Sequence, residues 1–309
     1  MNDLIDKLPA LKEAYPFKSH FCDLSYGNGQ SAKLHYLDEG TGPVILMLHG
    51  NPTWSFYFRN CVHYFKARGF RCIVPDHMGC GLSDKPQDYT YALERRIEDV
   101  QQLLKHTDVE RYNLIVHDWG GAIGMGVAVQ NPERVDKIAI LNSAAYLSKW
   151  MPWRIAFLRI SLVGAFLMRA FNLFAWPAVF MSVCKPLHKD IQKGFLFPYQ
   201  NWNDRIAVAR FVEDIPMSKM HPSYNCLLGI EKKLLSLSEK QIGLFWGERD
   251  FCFNKKFLRR WLEFFPKAIS KTFPDAGHYI LEDAKEEVVQ EIEGLFSDCV
   301  RIAITGFNN

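Results

Sequence analysis

Asp118 stands at the end of an apolar run, Leu114-Ile115-Val116-His117, and Trp119-Gly120-Gly121-Ala122 follows it directly. An apolar strand meeting a sharp turn, with small residues opening a helix at once, is the context of a nucleophile elbow. Such a turn holds a reactive side chain clear of the sheet. Glycines at 120 and 121 let the helix start close against the strand. An N-cap aspartate would also suit a helix start, but it explains neither the paired glycines nor the partners further along the chain. Serine is the commoner residue at such a turn. A carboxylate differs from it in being ionised at pH 7, so it needs no base to become a nucleophile. It can displace a leaving group from a saturated carbon and form an alkyl ester.

Two later segments can complete the site. Phe245-Trp246-Gly247-Glu248-Arg249-Asp250 ends a strand-like run with carboxylates in the loop beyond, and Pro274-Asp275-Ala276-Gly277-His278 follows the last predicted strand. Nucleophile, acid, then histidine is an order known for elbow-bearing hydrolases. Asp250, Glu248 and Asp275 all qualify as the acid at this point. Asn142-Ser143-Ala144-Ala145 carries no carboxylate, which excludes an acid there. Upstream, His49-Gly50-Asn51-Pro52-Thr53-Trp54 follows another apolar run. A loop in that place supplies one oxyanion N–H, and the residue after the nucleophile supplies the other. The Asn51 amide and the Trp119 indole add neutral side-chain donors, which suit an anionic leaving group in an apolar pocket.

These residues need a scaffold that brings strand ends together. Ala32–Leu37, Pro43–Leu48, Phe70–Val74, Tyr112–Val116, Lys137–Leu141, Gln241–Trp246 and Ala268–Phe273 are strand-like runs, most of them short, apolar and bounded by turn residues. Alternating with helical patterns at Leu93–His106, Gly120–Gln130, Lys255–Phe265 and Glu282–Phe296, they predict buried parallel strands in βαβ units. The rhythm breaks between about Trp150 and Leu235. Met151–Ser182 is crowded with Trp, Phe, Leu and Met, but Arg169, Asn172 and Pro177 interrupt it, which argues against a membrane span. It reads as a helical cap lining a pocket, with most of its large side chains packed on the core. The expected division is a core of residues 1–149 and 236–309 with a cap of 150–235 inserted. Arg301–Asn309 reads as a loose tail.

The 309 residues, 48% hydrophobic and 23% charged, are enough for one large core. A net charge of +3 does not point to nucleic acid. Eight cysteines without a CxxC pair read as reduced thiols, and Met1–His20 lacks a signal-peptide pattern, so a cytoplasmic setting is expected.

The segments HGNPTW, PDHMGCGLSDKP and HDWGG resemble the haloalkane dehalogenase branch of the α/β-hydrolase superfamily, across almost the whole chain. Asp250, with Asn51 and Trp119, resembles the third dehalogenase subfamily, which also holds the β-lactone decarboxylases of bacterial olefin biosynthesis. The stretches MPWRIAFLR, FNLFAWPAVFM, RIAVARFVEDIPM, HPSYN and GERDFCFN are more similar to those decarboxylases. Val116, two residues before Asp118, replaces the glycine of the generic elbow, a departure this family shares.

The resemblance implies an α/β-hydrolase fold, with Asp118 as nucleophile, His278 as base, Asp250 as its partner, and Asn51 with Trp119 as the anion cradle. It implies no metal and no organic cofactor. The activity it implies is conversion of a cis-3-alkyl-4-alkyloxetan-2-one, a β-lactone, to a long-chain cis-alkene and CO2. Attack at the oxygen-bearing ring carbon, giving an ester, and attack at the carbonyl, giving an anhydride, are equal alternatives. Hydrolysis of a carbon–halogen bond is the alternative activity. An epoxide hydrolase would need cap tyrosines such as Tyr146, Tyr199 or Tyr224, and a non-enzymatic binding protein would have lost a catalytic residue. The implied partners are a hydrophobic small molecule and other olefin-biosynthesis enzymes, with peripheral membrane contact and no transmembrane segment.

Overall fold

The structure, a computed structural model, describes residues 9–27 and 29–306. Eight strands form one sheet: β1 (His20–Tyr26), β2 (Gln30–Glu39), β3 (Val44–Leu48), β4 (Arg71–Pro75), β5 (Tyr112–Asp118), β6 (Val135–Ser143), β7 (Gln241–Gly247) and β8 (Ile269–Phe273). Their order is β1-β2-β4-β3-β5-β6-β7-β8. β2 runs antiparallel to β1 and β4, and the remaining pairs are parallel. This is the mostly parallel sheet of an α/β-hydrolase fold. Every residue of β5 is buried, as expected of a central strand with both faces covered. On one face lie the helices Leu93–His106 and Trp119–Ala128, and on the other Arg59–Lys66 and Lys285–Gly306, each with its own apolar cluster.

β1 and the helix Arg59–Lys66 were not anticipated. β1 is an edge strand whose buried residues, Cys22 and Leu24, alternate with the outward Phe21, Asp23 and Ser25, so no continuous apolar run marks it. The final helical pattern splits into Ile280–Asp283 and Lys285–Gly306. The expected loose tail is therefore helical through Gly306, and residues 307–309 lie outside the described residues, as do residues 1–8 of the Met1–His20 stretch.

Between β6 and β7 the chain is helical, with Trp153–Leu158, Ser161–Phe171, Ala175–Met181, Lys189–Leu196, Ile206–Glu213 and Tyr224–Lys233 as its main helices. The expected packing of most large cap side chains onto the core is corrected here. Leu162 is 84% exposed and Trp153 71%, whereas Met168 and Val179 are among the few buried residues of this stretch. The reason is geometric. Ser161–Phe171 is apolar on nearly every side, but only one side can meet the helix Ile206–Glu213, so the rest faces outward. No single helix among the described residues is long and apolar enough to cross a membrane. Leu162–Phe171 and Ala175–Met181 pass that test only as a pair bent by 77°.

Candidate active site

Asp118 ends β5 with φ 52° and ψ −127°, a left-handed-side backbone that costs energy in a non-glycine residue and aims its carboxylate away from the sheet. The turn is possible because its neighbours lack side chains. A Cβ on Gly120 would lie 1.9 Å from the Leu48 carbonyl oxygen, and one on Gly50 would lie 2.0 Å from Asp118 Oδ1. The Ser143 hydroxyl donates to the Asp118 carbonyl (2.5 Å), tying the turn to the end of β6.

The backbone N–H of Asn51 donates to Asp118 Oδ1 at 2.7 Å, and the Trp119 N–H also bonds the carboxylate. Both N–H groups of the expected oxyanion hole thus converge on one group. Asp118 Oδ2 lies 3.7 Å from His278 Nε2, while His278 Nδ1–H donates to Asp250 Oδ2 at 2.8 Å. Asp250, His278 and Asp118 are all buried. Asp250 is the carboxylate that meets the histidine. Glu248 instead pairs with Lys255 (2.6 Å), and Asp275 is exposed and pairs with Arg249 (2.6 Å).

Burial is the largest influence on Asp118 and pushes its carboxyl above the usual value, against the opposing pull of His278 and the two N–H donors. For His278, burial alone would lower the value, but the charge and hydrogen bond of Asp250, together with Asp118, outweigh it and raise it. The site therefore favours an imidazolium held between two carboxylates.

The side-chain donors are arranged differently from one another. Asn51 Nδ2 donates to the carbonyl of Val208 in the cap (3.1 Å), which uses one of its two hydrogens, and Asn51 Oδ1 is buried without a partner. The Trp119 indole N–H meets no acceptor among the described residues, and the ring lies beside Phe211. Both residues line a cavity of about 870 Å³, open mouth included, whose wall is mainly apolar: Ile155, Phe174, Val212, Leu227 and Phe257 contribute to it. Of the tyrosines that an epoxide hydrolase could use, Tyr146 donates to Phe257 O (2.8 Å) and Tyr199 to Thr53 O (3.4 Å). Neither hydroxyl is free for a substrate oxygen.

Sequence reasoning missed three supports. Asn142, at the end of β6, donates to Asp250 Oδ2 (2.9 Å) and Gly247 O (3.1 Å) and accepts from Gly247 N (2.7 Å), bracing the acid from the neighbouring strand. It lies in the segment Asn142–Ala145, which carries no carboxylate. His117 donates Nε2–H to the His278 carbonyl (2.8 Å), and Phe253 stacks on the His278 ring. No spacing rule marks these residues, because each acts across the sheet.

An aspartate on a strained strand–helix turn, backed by a histidine and a second aspartate from later strand ends, defines an α/β-hydrolase-fold protein with a carboxylate at the nucleophile position. The profile of the α/β-hydrolase fold family matches residues 43–285. The chain is 42% identical over 295 residues to the cis-3-alkyl-4-alkyloxetan-2-one decarboxylase of Shewanella oneidensis, covering 93% of this chain and 91% of that one. It is 30% identical over 288 residues to haloalkane dehalogenase 2 of Mycobacterium tuberculosis, covering 91% and 95%. The crystal structure of a putative ancestral haloalkane dehalogenase superposes with a TM-score of 0.81 at 22% identity, over 91% of this chain and 99% of that one. The chain belongs to the α/β-hydrolase fold family, in the branch that contains the haloalkane dehalogenases and the cis-3-alkyl-4-alkyloxetan-2-one decarboxylases.

Proposed function

We propose that the protein is a β-lactone decarboxylase that converts a cis-3-alkyl-4-alkyloxetan-2-one to a cis-alkene and CO2, with Asp118 as nucleophile. The observation that carries the reading is the Asp118 carboxylate, buried and held by the Asn51 and Trp119 N–H groups at the floor of an apolar cavity. The substrate class comes from the 42% identity to the Shewanella decarboxylase. Each buried CH2 contributes about 0.8 kcal/mol, so alkyl chains lying along the cavity wall supply binding energy without polar recognition.

Asp118 attacks the ring carbon that carries oxygen, and the carbon–oxygen bond breaks. The product is an aspartyl alkyl ester bearing a carboxylate on the adjacent carbon. The carboxylate then departs as CO2; its bonding electrons form the alkene and expel Asp118 unchanged. Atoms and charge balance without water. Inversion at the attacked carbon followed by anti elimination converts a cis lactone to a cis alkene. The rival anhydride leaves the ring oxygen on carbon and requires Asp118 to give one of its own oxygens to CO2. The ester route does not. In the dehalogenase reading, favoured by the same three side chains and the 30% relative, His278 activates water against the ester instead.

Gas chromatography of products from a long-chain cis-disubstituted β-lactone tests the proposal. A cis-alkene is expected from the wild type and none from Asp118→Asn. A β-hydroxy acid would mean that water completes the reaction, and turnover by Asp118→Asn at the wild-type rate would remove the nucleophile assignment. With oxygen-18 in the ring, the ester route puts the label in CO2 and the anhydride route puts it in Asp118.

A further inference from the structure

We propose that the outward face of the cap docks on an anionic lipid bilayer, and that hydrophobic substrate enters the cavity from that surface. Three consecutive helices expose large apolar side chains, among them Trp153, Phe157, Leu162, Val163, Phe166 and Trp176, each more than half exposed. Soluble monomers rarely leave so much contiguous apolar surface without a use. The occupant is indicated by charge. From Lys137 to Lys189 the chain contains no Asp or Glu, while Lys149, Arg154, Lys185 and Lys189 are exposed there. Of the acids on adjoining cap elements, Asp190 and Glu213 are engaged by Lys193 and Arg210, and Asp204 accepts from Gln200 and Asn201. Aromatic and aliphatic side chains with cations and no acids are what an interfacial helix presents to anionic lipid. A second copy of the chain would set these cations against one another across a two-fold axis.

Helix geometry agrees with lying on a membrane over spanning it. Leu162–Phe171 and Ala175–Met181 together have the apolar length of a span, but the 77° bend breaks it. Met151, Pro152 and Ile155, at the start of this apolar stretch, line the cavity. Trp150 lines the cavity and is 47% exposed, and Lys256 lies 5.8 Å from its ring centre. Substrate dissolved in the bilayer therefore reaches the cavity beside a cationic, aromatic rim. Docking stands on these residues alone; loading of a water-insoluble lactone rests on the proposed reaction.

The test is binding of the full chain to phosphatidylcholine vesicles with and without phosphatidylglycerol, read by flotation and tryptophan emission, with no lactone present. Wild type is expected to bind the phosphatidylglycerol vesicles and to release as salt is raised. Lys149→Gln with Arg154→Gln should weaken binding about thirtyfold, from two lost cations at the surface. Trp153→Ser with Leu162→Ser and Val163→Ser should abolish it. These positions line no part of the cavity, so turnover of a short, water-soluble lactone should be unchanged. Equal binding by wild type and variants, or none by wild type, overturns the proposal. So does self-association of the wild type that the triple variant disperses without any vesicle binding, which would make the face an interface between copies. Vesicle binding by a chain inactive on lactones would remove the proposed reaction and leave docking intact.

Discussion

Replacing His278 separates the two ways an aspartyl ester can end. In hydrolysis, the histidine is the base that activates water, and its loss leaves the ester permanently on Asp118. In decarboxylation, the departing electrons come from the substrate, and His278 serves only as a cation beside the Asp118 carboxylate as it leaves. Its worth follows from the geometry. Opposite charges 3.7 Å apart attract by about 4 kcal/mol at an effective dielectric of ~20. Asp250 remains in the variant, so the loss is that attraction scaled by the charge regained on Asp118 in the transition state; at about half a charge it is about 2 kcal/mol. His278→Gln should therefore slow alkene formation about thirtyfold, while any adduct still decays to alkene. The assay is a single-turnover experiment with a long-chain cis β-lactone, following alkene by gas chromatography and the protein by intact mass, with a denaturation curve to verify folding. A stoichiometric adduct that persists after alkene formation has stopped, or that yields β-hydroxy acid, refutes the water-free route.

The pH profile provides an independent check. Asp118 must be ionised to attack, and burial raises it, so activity should fall on the acid side at a pH above the ordinary carboxylate value of 3.8. His278 is also raised, with Asp250 and Asp118 prevailing over burial, and decarboxylation should decline as pH rises through that value above 6.5, whereas halide release would increase. In stability terms, the contribution of a raised histidine is complete below its unfolded value and lost as pH rises through the folded one; urea melts across that range should show lower midpoints at higher pH. Gly50→Ala sets a methyl 2.0 Å from Asp118 Oδ1, so activity should drop at least a hundredfold with the fold retained, measured by turnover and circular dichroism. Asn142→Ala removes three hydrogen bonds, one to Asp250 and two with Gly247; kcat should fall about tenfold, KM should stay put, and Asn142→Ser should recover part of the loss.

The central strands β3 to β7 were legible because buried parallel strands are written as nearly unbroken apolar runs, whereas β2 and β8 showed only as shorter, mixed strand-like runs. β1 was not legible, since an antiparallel edge buries only alternate residues and its Cys22 and Leu24 do not stand out from the residues around them. At the site, Asp118 and His278 are marked by the glycines and strand ends around them. The choice among Asp250, Glu248 and Asp275 depends on which carboxylate the loop after β7 turns inward, and only Asp250 accepts the N–H groups of Cys252 and Phe253 that fix it there. Asn142 was invisible for a related reason. An asparagine after a strand reads as a turn residue, and its work begins only when the ends of β6 and β7 lie side by side. The exposed cap was misjudged because composition reports how apolar a helix is and says nothing of which side another helix will cover.

One carboxylate–histidine–carboxylate set can serve dehalogenation or decarboxylation because the two reactions, on the ester route, share a first step. Each needs an ionised nucleophile with its lone pair aimed at a carbon, and donors where an anion will emerge. Asp118, with its backbone held at φ 52° and its carboxylate bonded by Asn51 and Trp119, meets that need. The second step depends on what the leaving group remains attached to. A halide departs altogether, so the ester waits for water and for a base. A ring-opened lactone keeps its leaving carboxylate on the neighbouring carbon, where loss of CO2 returns the electrons that free Asp118. An apolar wall that holds water away from the ester then favours the internal route, since the competing hydrolysis is first order in water at the carbonyl. On the proposed reaction the cap would serve chemistry as well as binding: the side chains that accept alkyl groups would also keep out the water on which the hydrolytic half of the mechanism depends.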